Sequence, residues 1–375
     1  MFQYFKDSYE FSFQFARAVA YCHFGAAEFF EIEYACRDIV AYDYESWYQA
    51  WSKLGDRLYA MAEKELEQGH TFTASDEFTR AAGYYRTAEF YLSPLDERKI
   101  PLYMKEIGAF RKALPYKPYS IKPIEIPYED SFLTAYYIEP MHKPADGSLP
   151  PAVMMYGGLD STAEELCMSL AENLSKRGFA VLAVDGPGQG GSLRLNNIKS
   201  RYDYEVPVTA CFDFLAGTGK VNPKKIALLA WSMGGYYAPR AAAFEHRLAA
   251  CVAWGAQYDY GKVWANRPDD HALAVHLQYI LGCDNIKDAK EKVKAFHLTP
   301  EIVAQIQCPT FIIHGDEDRN IPVADAYRLY DELKCEKKLV ICSDKDALGS
   351  CHCQMDNMPL GTSYICDWLY DTVAR

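Results

Sequence analysis

Apolar positions change their spacing near residue 115, and the change divides the chain into two regions. Before it, apolar residues recur at helical intervals. Between Glu45 and Gly69, residues Trp47, Trp51, Leu54, Leu58 and Met61 share one face, and Gly69 supplies a stop. The run from Thr73 to Tyr91 predicts a second helix, with Thr73 or Ser75 as cap and acids in the first turn. Its period brings Phe78, Ala81, Tyr85 and Ala88 to one side. Helices with no intervening sheet predict a helical domain over residues 1–115 that must bury its apolar stripe against something else.

After Pro115-Tyr-Lys-Pro-Tyr119 the texture becomes short apolar runs alternating with helical segments. Strands are expected at Ile121–Tyr128, Phe132–Ile138, Ala152–Tyr156, Ala180–Val184, Ile226–Ala230, Cys251–Trp254, Thr310–Ile313 and Leu339–Ile341. Helices are expected over 162–176, 204–215, from Gly235, and over 358–373. Strands apolar on both faces predict a mostly parallel, eight-stranded sheet flanked by helices, hence an α/β domain over 116–375. The stretch 257–305 is too long for a simple connection and has helical character near His271–Ile280 and Ile286–Phe296. It is expected to form a helical lid or pocket wall.

Composition narrows the class. Half of the 375 residues are apolar and a quarter charged, as in ordinary globular proteins. A net charge of −12 argues against nucleic acid as a partner. The N-terminus lacks a basic region followed by an apolar run, and no stretch approaches the ~18 apolar residues of a membrane span. A soluble cytoplasmic protein is the expectation, away from membranes, and its apolar N-terminal helices leave room for a homodimer. Of the twelve cysteines, Cys251, Cys308 and Cys342 sit in or beside strand-like runs, where thiols pack as small hydrophobes. Cys351-His352-Cys353 lacks a second, spaced ligand pair, so no metal is expected.

The chemistry centres on Lys225-Ile-Ala-Leu-Leu-Ala-Trp-Ser-Met-Gly-Gly235, a buried-looking strand running straight into Ser232. A serine on a tight strand-to-helix turn is the position of an acyl-transfer nucleophile, although Ala230 stands where G-x-S-x-G has its first glycine. Two strands earlier, AVMMY ends in Gly157-Gly158-Leu159-Asp160-Ser161, a turn able to offer backbone N–H groups. An oxyanion hole is expected from the Met233 N–H together with that of Gly158 or Leu159. Asp318, beyond the strand FIIHG, is the expected acid, with Asp316 and Glu317 as alternatives, and His352 after the last strand is the expected base. The glycines of Asp185-Gly-Pro-Gly-Gln-Gly-Gly191 lack both P-loop and dinucleotide spacing, so no cofactor is expected. That segment is expected to turn back across the pocket floor.

Six segments together resemble the FrsA-like, DUF1100-type esterases of the α/β-hydrolase superfamily. They are GHTFTASDEFTRAAGYYRTAEFYL, VMMYGGLDSTAEE, VLAVDGPGQGG, AWSMGGYYAPRAAA, IIHGDEDRNIP and the HCQ around His352. That branch includes fungal yellowish-green heptaketide hydrolases and bacterial 2,6-dihydroxypseudooxynicotine hydrolase. The resemblance implies that the N-terminal helices and the insertion cap the site, with Tyr21, His23, Tyr84 and Tyr85 as candidate pocket donors. It further implies a cofactor-free serine hydrolase cleaving a carbon–carbon bond beside a ketone in a polyketide or aromatic β-diketone-like substrate. An ester, lactone or thioester hydrolase or an acyltransferase is the close alternative. A non-catalytic binding module and a non-covalent cyclase or isomerase are the remaining readings.

Overall fold

The computed structural model describes residues 2–345 and 348–375. The chain divides into two compact units, Met1–Lys122 with Cys167–Leu170, and Pro123–Leu166 with Ala171–Arg375. The first is helical. Its long helices Tyr44–Glu67, Thr71–Glu89 and Lys99–Ala113 bury Trp47, Trp51, Phe78, Tyr84, Tyr103 and Phe110. Asp43 caps the first of these through the N–H groups of Glu45 and Ser46.

The second unit is built on an eight-stranded sheet: β1 Ile121–Tyr128, β2 Ser131–Ile138, β3 Ala152–Tyr156, β4 Ala180–Val184, β5 Ile226–Trp231, β6 Ala250–Trp254, β7 Thr310–Gly315 and β8 Lys337–Cys342. Their order is β1-β2-β4-β3-β5-β6-β7-β8. From β4 to β8 every neighbouring pair is parallel, and β2 meets β4 antiparallel. This is the α/β-hydrolase fold. Strands β3 to β6 are buried along their whole length, which is why their sequences are continuous apolar runs without alternation. Each fully buried aliphatic side chain there contributes about 1.5–3 kcal/mol relative to an exposed one.

Register fixes where chemistry can gather. Tyr156 pairs with Ala230, Trp231 with Trp254, and Gly315 with Cys342, so the parallel strands end along one edge. In open parallel sheets, ligands bind beyond the carboxyl ends of the strands. The loops leaving that edge begin at Gly157, Ser232, Gly255, Asp316 and Ser343.

Two local expectations change. The helix expected over 162–176 is two, Ala163–Cys167 and Ala171–Lys176, and the break coincides with the residues grouped with the helical unit. The insertion holds Ala274–Leu281 and Ile286–Lys292, and also the shorter helices Tyr260–Ala265 and Pro300–Val303. An isolated bridge between Asp259 and His297 ties the two ends of the insertion together. Its apolar residues Trp264, Leu277, Ile280, Val293 and Phe296 join the hydrophobic core beside the sheet.

Candidate active site

Strand β5 delivers Ser232 in a left-handed conformation, φ +60°, before the helix Gly234–Ala242. A serine pays for that backbone strain, and a strained turn of this kind raises the hydroxyl above the strand end. The turn is held by the Ser232 N–H, which donates to the Trp254 carbonyl at 2.8 Å, and by the Gly235 N–H, which donates to Ser232 O at 2.7 Å. A Cβ on Gly234 would lie 2.7 Å from both the Ala230 methyl and the Gly157 carbonyl oxygen. The departure at Ala230 therefore has a physical account: its methyl fits because residue 234 has none.

His352 Nε2 stands 2.8 Å from Ser232 Oγ, and its Nδ1 stands 2.6 Å from Asp318 Oδ2. With the Nδ1 proton on the carboxylate side, the Nε2 lone pair faces the hydroxyl. Asp318 Oδ1 accepts the N–H groups of Asn320 at 2.8 Å and Ile321 at 2.9 Å, which fixes the carboxylate, and its side chain is fully buried. Burial pushes the Asp318 pKa up, but the neighbouring His352 more than offsets it and holds the carboxyl below its ordinary value. Burial likewise opposes the His352 imidazolium, and the Asp318 carboxylate overrides it, raising the imidazole above its ordinary value. His314 Nε2 donates to the Ile321 carbonyl at 3.1 Å, and burial holds its pKa down, so it supports the turn as a neutral ring. The alternatives Asp316 and Glu317 are exposed.

The histidine loop is itself braced. Cys353 and Gln354 both have positive φ, and Gln354 Oε1 accepts the Trp254 Nε1–H at 2.6 Å. The Cys353 thiol lies 3.6 Å from His352 Nε2, on the ring nitrogen that also faces the serine.

Of the two expected donors in the glycine turn, Gly158 is excluded by its own bonding: its N–H donates to Ser161 Oγ at 2.9 Å. A Cβ on Gly158 would lie 2.8 Å from Ser232 Oγ, so glycine is required there for space, not for its N–H. Among the described residues, the N–H groups of Leu159 and Met233 have no assigned acceptor. These are two donors of the kind an oxyanion needs.

Comparison with known proteins identifies the family. The family model "Esterase FrsA-like" matches residues 31–264. The hydrolyase poxO of Penicillium oxalicum is 34% identical over 271 residues, 69% of this chain. The chain belongs to the FrsA-like esterase family. That match spans 63% of poxO, so this chain covers less than two thirds of that relative's length. The 2,6-dihydropseudooxynicotine hydrolase of Paenarthrobacter nicotinovorans is 29% identical over 88% of this chain and 85% of its own. The crystal structure of the 2,6-dihydroxy-pseudo-oxynicotine hydrolase superposes with a TM-score of 0.81, at 26% identity and 95% of each chain.

The candidate pocket tyrosines have hydrogen-bond partners of their own. Tyr84 Oη donates to Glu31 at 2.6 Å and accepts the Glu28 N–H at 2.9 Å, while Tyr85 Oη donates to Asp56 at 2.8 Å. Both hydroxyls, the candidate pocket donors of the sequence, are thus hydrogen-bonded within the helical unit of this family member. Tyr21 is buried and accepts from Arg17 Nε at 3.4 Å, whereas His23 is exposed.

Two features escaped the sequence. Asp160, with φ +60°, meets Arg194 Nη2 at 2.5 Å and His276 Nδ1 at 3.1 Å, all three side chains being buried. This joins the glycine turn to the insertion helix. Asp185, at the end of β4, accepts the N–H groups of Ala163 at 2.6 Å and Gly191 at 2.9 Å. Burial, reinforced by Glu164, pushes its pKa up to about 7. The GLDS and DGPGQGG motifs were the available signals, but the pairings span 34 and 116 residues for Asp160 and cannot be counted off along the chain.

Proposed function

We propose that the protein is a serine hydrolase that cleaves a carbon–carbon bond beside a ketone in a polyketide or aromatic β-diketone-like substrate. The observation that carries the reading is the continuous line from Asp318 Oδ2 through His352 to Ser232 Oγ, with links of 2.6 and 2.8 Å. In this mechanism Ser232 Oγ adds to the carbonyl carbon while its proton passes to His352 Nε2. The Met233 and Leu159 N–H groups hold the oxyanion. Collapse breaks the bond to the leaving carbon, whose electron pair is stabilised as an enolate and is protonated by His352. Water, deprotonated by His352, then adds to the acyl-enzyme, and a second collapse releases the carboxylic acid and Ser232. Asp318 remains ionised throughout and stabilises the imidazolium.

Membership of a family with relatives named as hydrolases, one of them of 2,6-dihydropseudooxynicotine, supports an aromatic ketone as substrate class. The chain order Ser, Asp, His after the parallel strands β5, β7 and β8 supports the same machinery.

The test is product analysis with aromatic β-diketones and simple aryl esters, using Ser232→Ala as control. Carboxylic acid and ketone from the diketone, abolished in the variant, is the expected result. Turnover of esters alone would move the reading to ester, lactone or thioester chemistry. Full turnover by the variant would overturn the serine mechanism.

A further inference from the structure

The Gly-rich segment after β4 forms the support for the glycine turn after β3. Gln189, 2% exposed, donates from Nε2 to two successive carbonyls, Gly157 O at 2.7 Å and Gly158 O at 3.0 Å. Its Oε1 accepts the Gly186 N–H at 3.1 Å, which sets the amide's orientation. Beside it, the Gly190 N–H donates to Ser161 O at 2.8 Å. A Cβ on Gly190 would lie 1.9 Å from Asp185 Oδ1, so the loop closes this tightly only with glycine there.

A trans peptide is planar, and its C=O and N–H point in opposite directions. Holding the Gly157 carbonyl therefore aims the Gly158 N–H, which meets Ser161 Oγ at 2.9 Å. Holding the Gly158 carbonyl aims the Leu159 N–H to the opposite side of the same plane. Two tethers on two consecutive peptides leave that turn little freedom to rotate. We propose that Gln189 is a positioning residue, whose amide fixes the Leu159 N–H as an oxyanion donor for Ser232. The proposal rests on the serine mechanism above. Gln189 touches no reacting atom and acts through the backbone it holds.

Deleting an oxyanion donor outright typically costs ~10²–10³ in kcat. Misaiming one should cost less, about 10- to 100-fold, because the donor is still present. Two variants separate the amide's donors from its bulk. Gln189→Met keeps the volume and removes the hydrogen bonds; Gln189→Glu keeps the shape and the acceptor and removes the donor. The readouts are kcat, KM, the pH–rate profile and inhibition by phenylboronic acid, which forms a tetrahedral adduct on a nucleophilic serine. Inhibition constants report folded sites only, so partial misfolding does not obscure them.

The expected result is that kcat and boronate affinity fall together by the same factor in both variants. KM and the acid limb of the profile stay in place, because substrate binding and His352 are untouched. Boronate affinity equal to that of the unmodified protein in either variant would overturn the role of Gln189. An unmodified protein that turns over substrate yet ignores the boronate would overturn the serine mechanism, and this inference with it.

Discussion

At the scale of single residues, the site depends on which groups have their hydrogen bonds already spent. Asp318 has both oxygens engaged, one by His352 and the other by two backbone N–H groups. Asp318→Asn would keep much of this geometry but place a neutral amide against His352 Nδ1. The imidazolium then loses its carboxylate, so kcat should fall by ~10³–10⁴. The pH dependence follows from the direction of the His352 shift. As the proposed base, His352 acts when neutral, so activity should be lost as pH falls through its pKa. Because Asp318 raises that pKa, the acid limb of kcat/KM should lie above the ordinary histidine range. In Asp318→Asn the limb should move to lower pH while its plateau drops. A limb that stays in place would show that the carboxylate does not set the base. The juxtaposition of Ser232, Asp318 and His352 was legible in the sequence because each follows a recognisable strand. The choice between Gly158 and Leu159 was not, since it turns on where one N–H points.

At the scale of elements, the nucleophile turn is a packing problem between β5, the helix after it and the turn after β3. Residues 230 and 234 share one small space, which holds the Ala230 methyl and nothing more. Gly234→Ala should cost about 1–3 kcal/mol through overpacking, together with activity, because the new methyl also meets the Gly157 carbonyl oxygen. Ala230→Gly should cost about 0.5–1 kcal/mol and keep activity. The double variant should recover part of the loss, since one clash is relieved and the other stays. Thermal denaturation and kcat/KM across the four proteins check this, and a Gly234→Ala variant of unchanged stability would contradict it. The strands were predictable almost to their ends, because residues buried on both faces leave uninterrupted apolar runs. The split of the 162–176 helix was not, because no glycine or proline marks Met168–Leu170. Gln189 was hidden for a related reason: a glycine-rich loop suggests close backbone approach but not which side chain holds the neighbouring turn.

At the scale of the molecule, the chain carries a helical unit before an α/β-hydrolase unit, and the family match runs through sequence belonging to both. Among the described residues no helix is long and apolar enough to cross a membrane. The helical unit was visible as a change of period near residue 115, whereas the grouping of Cys167–Leu170 with it had no sequence signal. What joins these scales is the claim that Ser232 becomes covalently acylated during turnover. The direct measurement is rapid-quench intact mass during turnover of an aryl ester, followed by peptide mapping. The account predicts a transient mass gain equal to the acyl group, carried by Ser232 and absent from Ser232→Ala. Steady turnover with no adduct at any quench time, or an adduct on another residue, would contradict it.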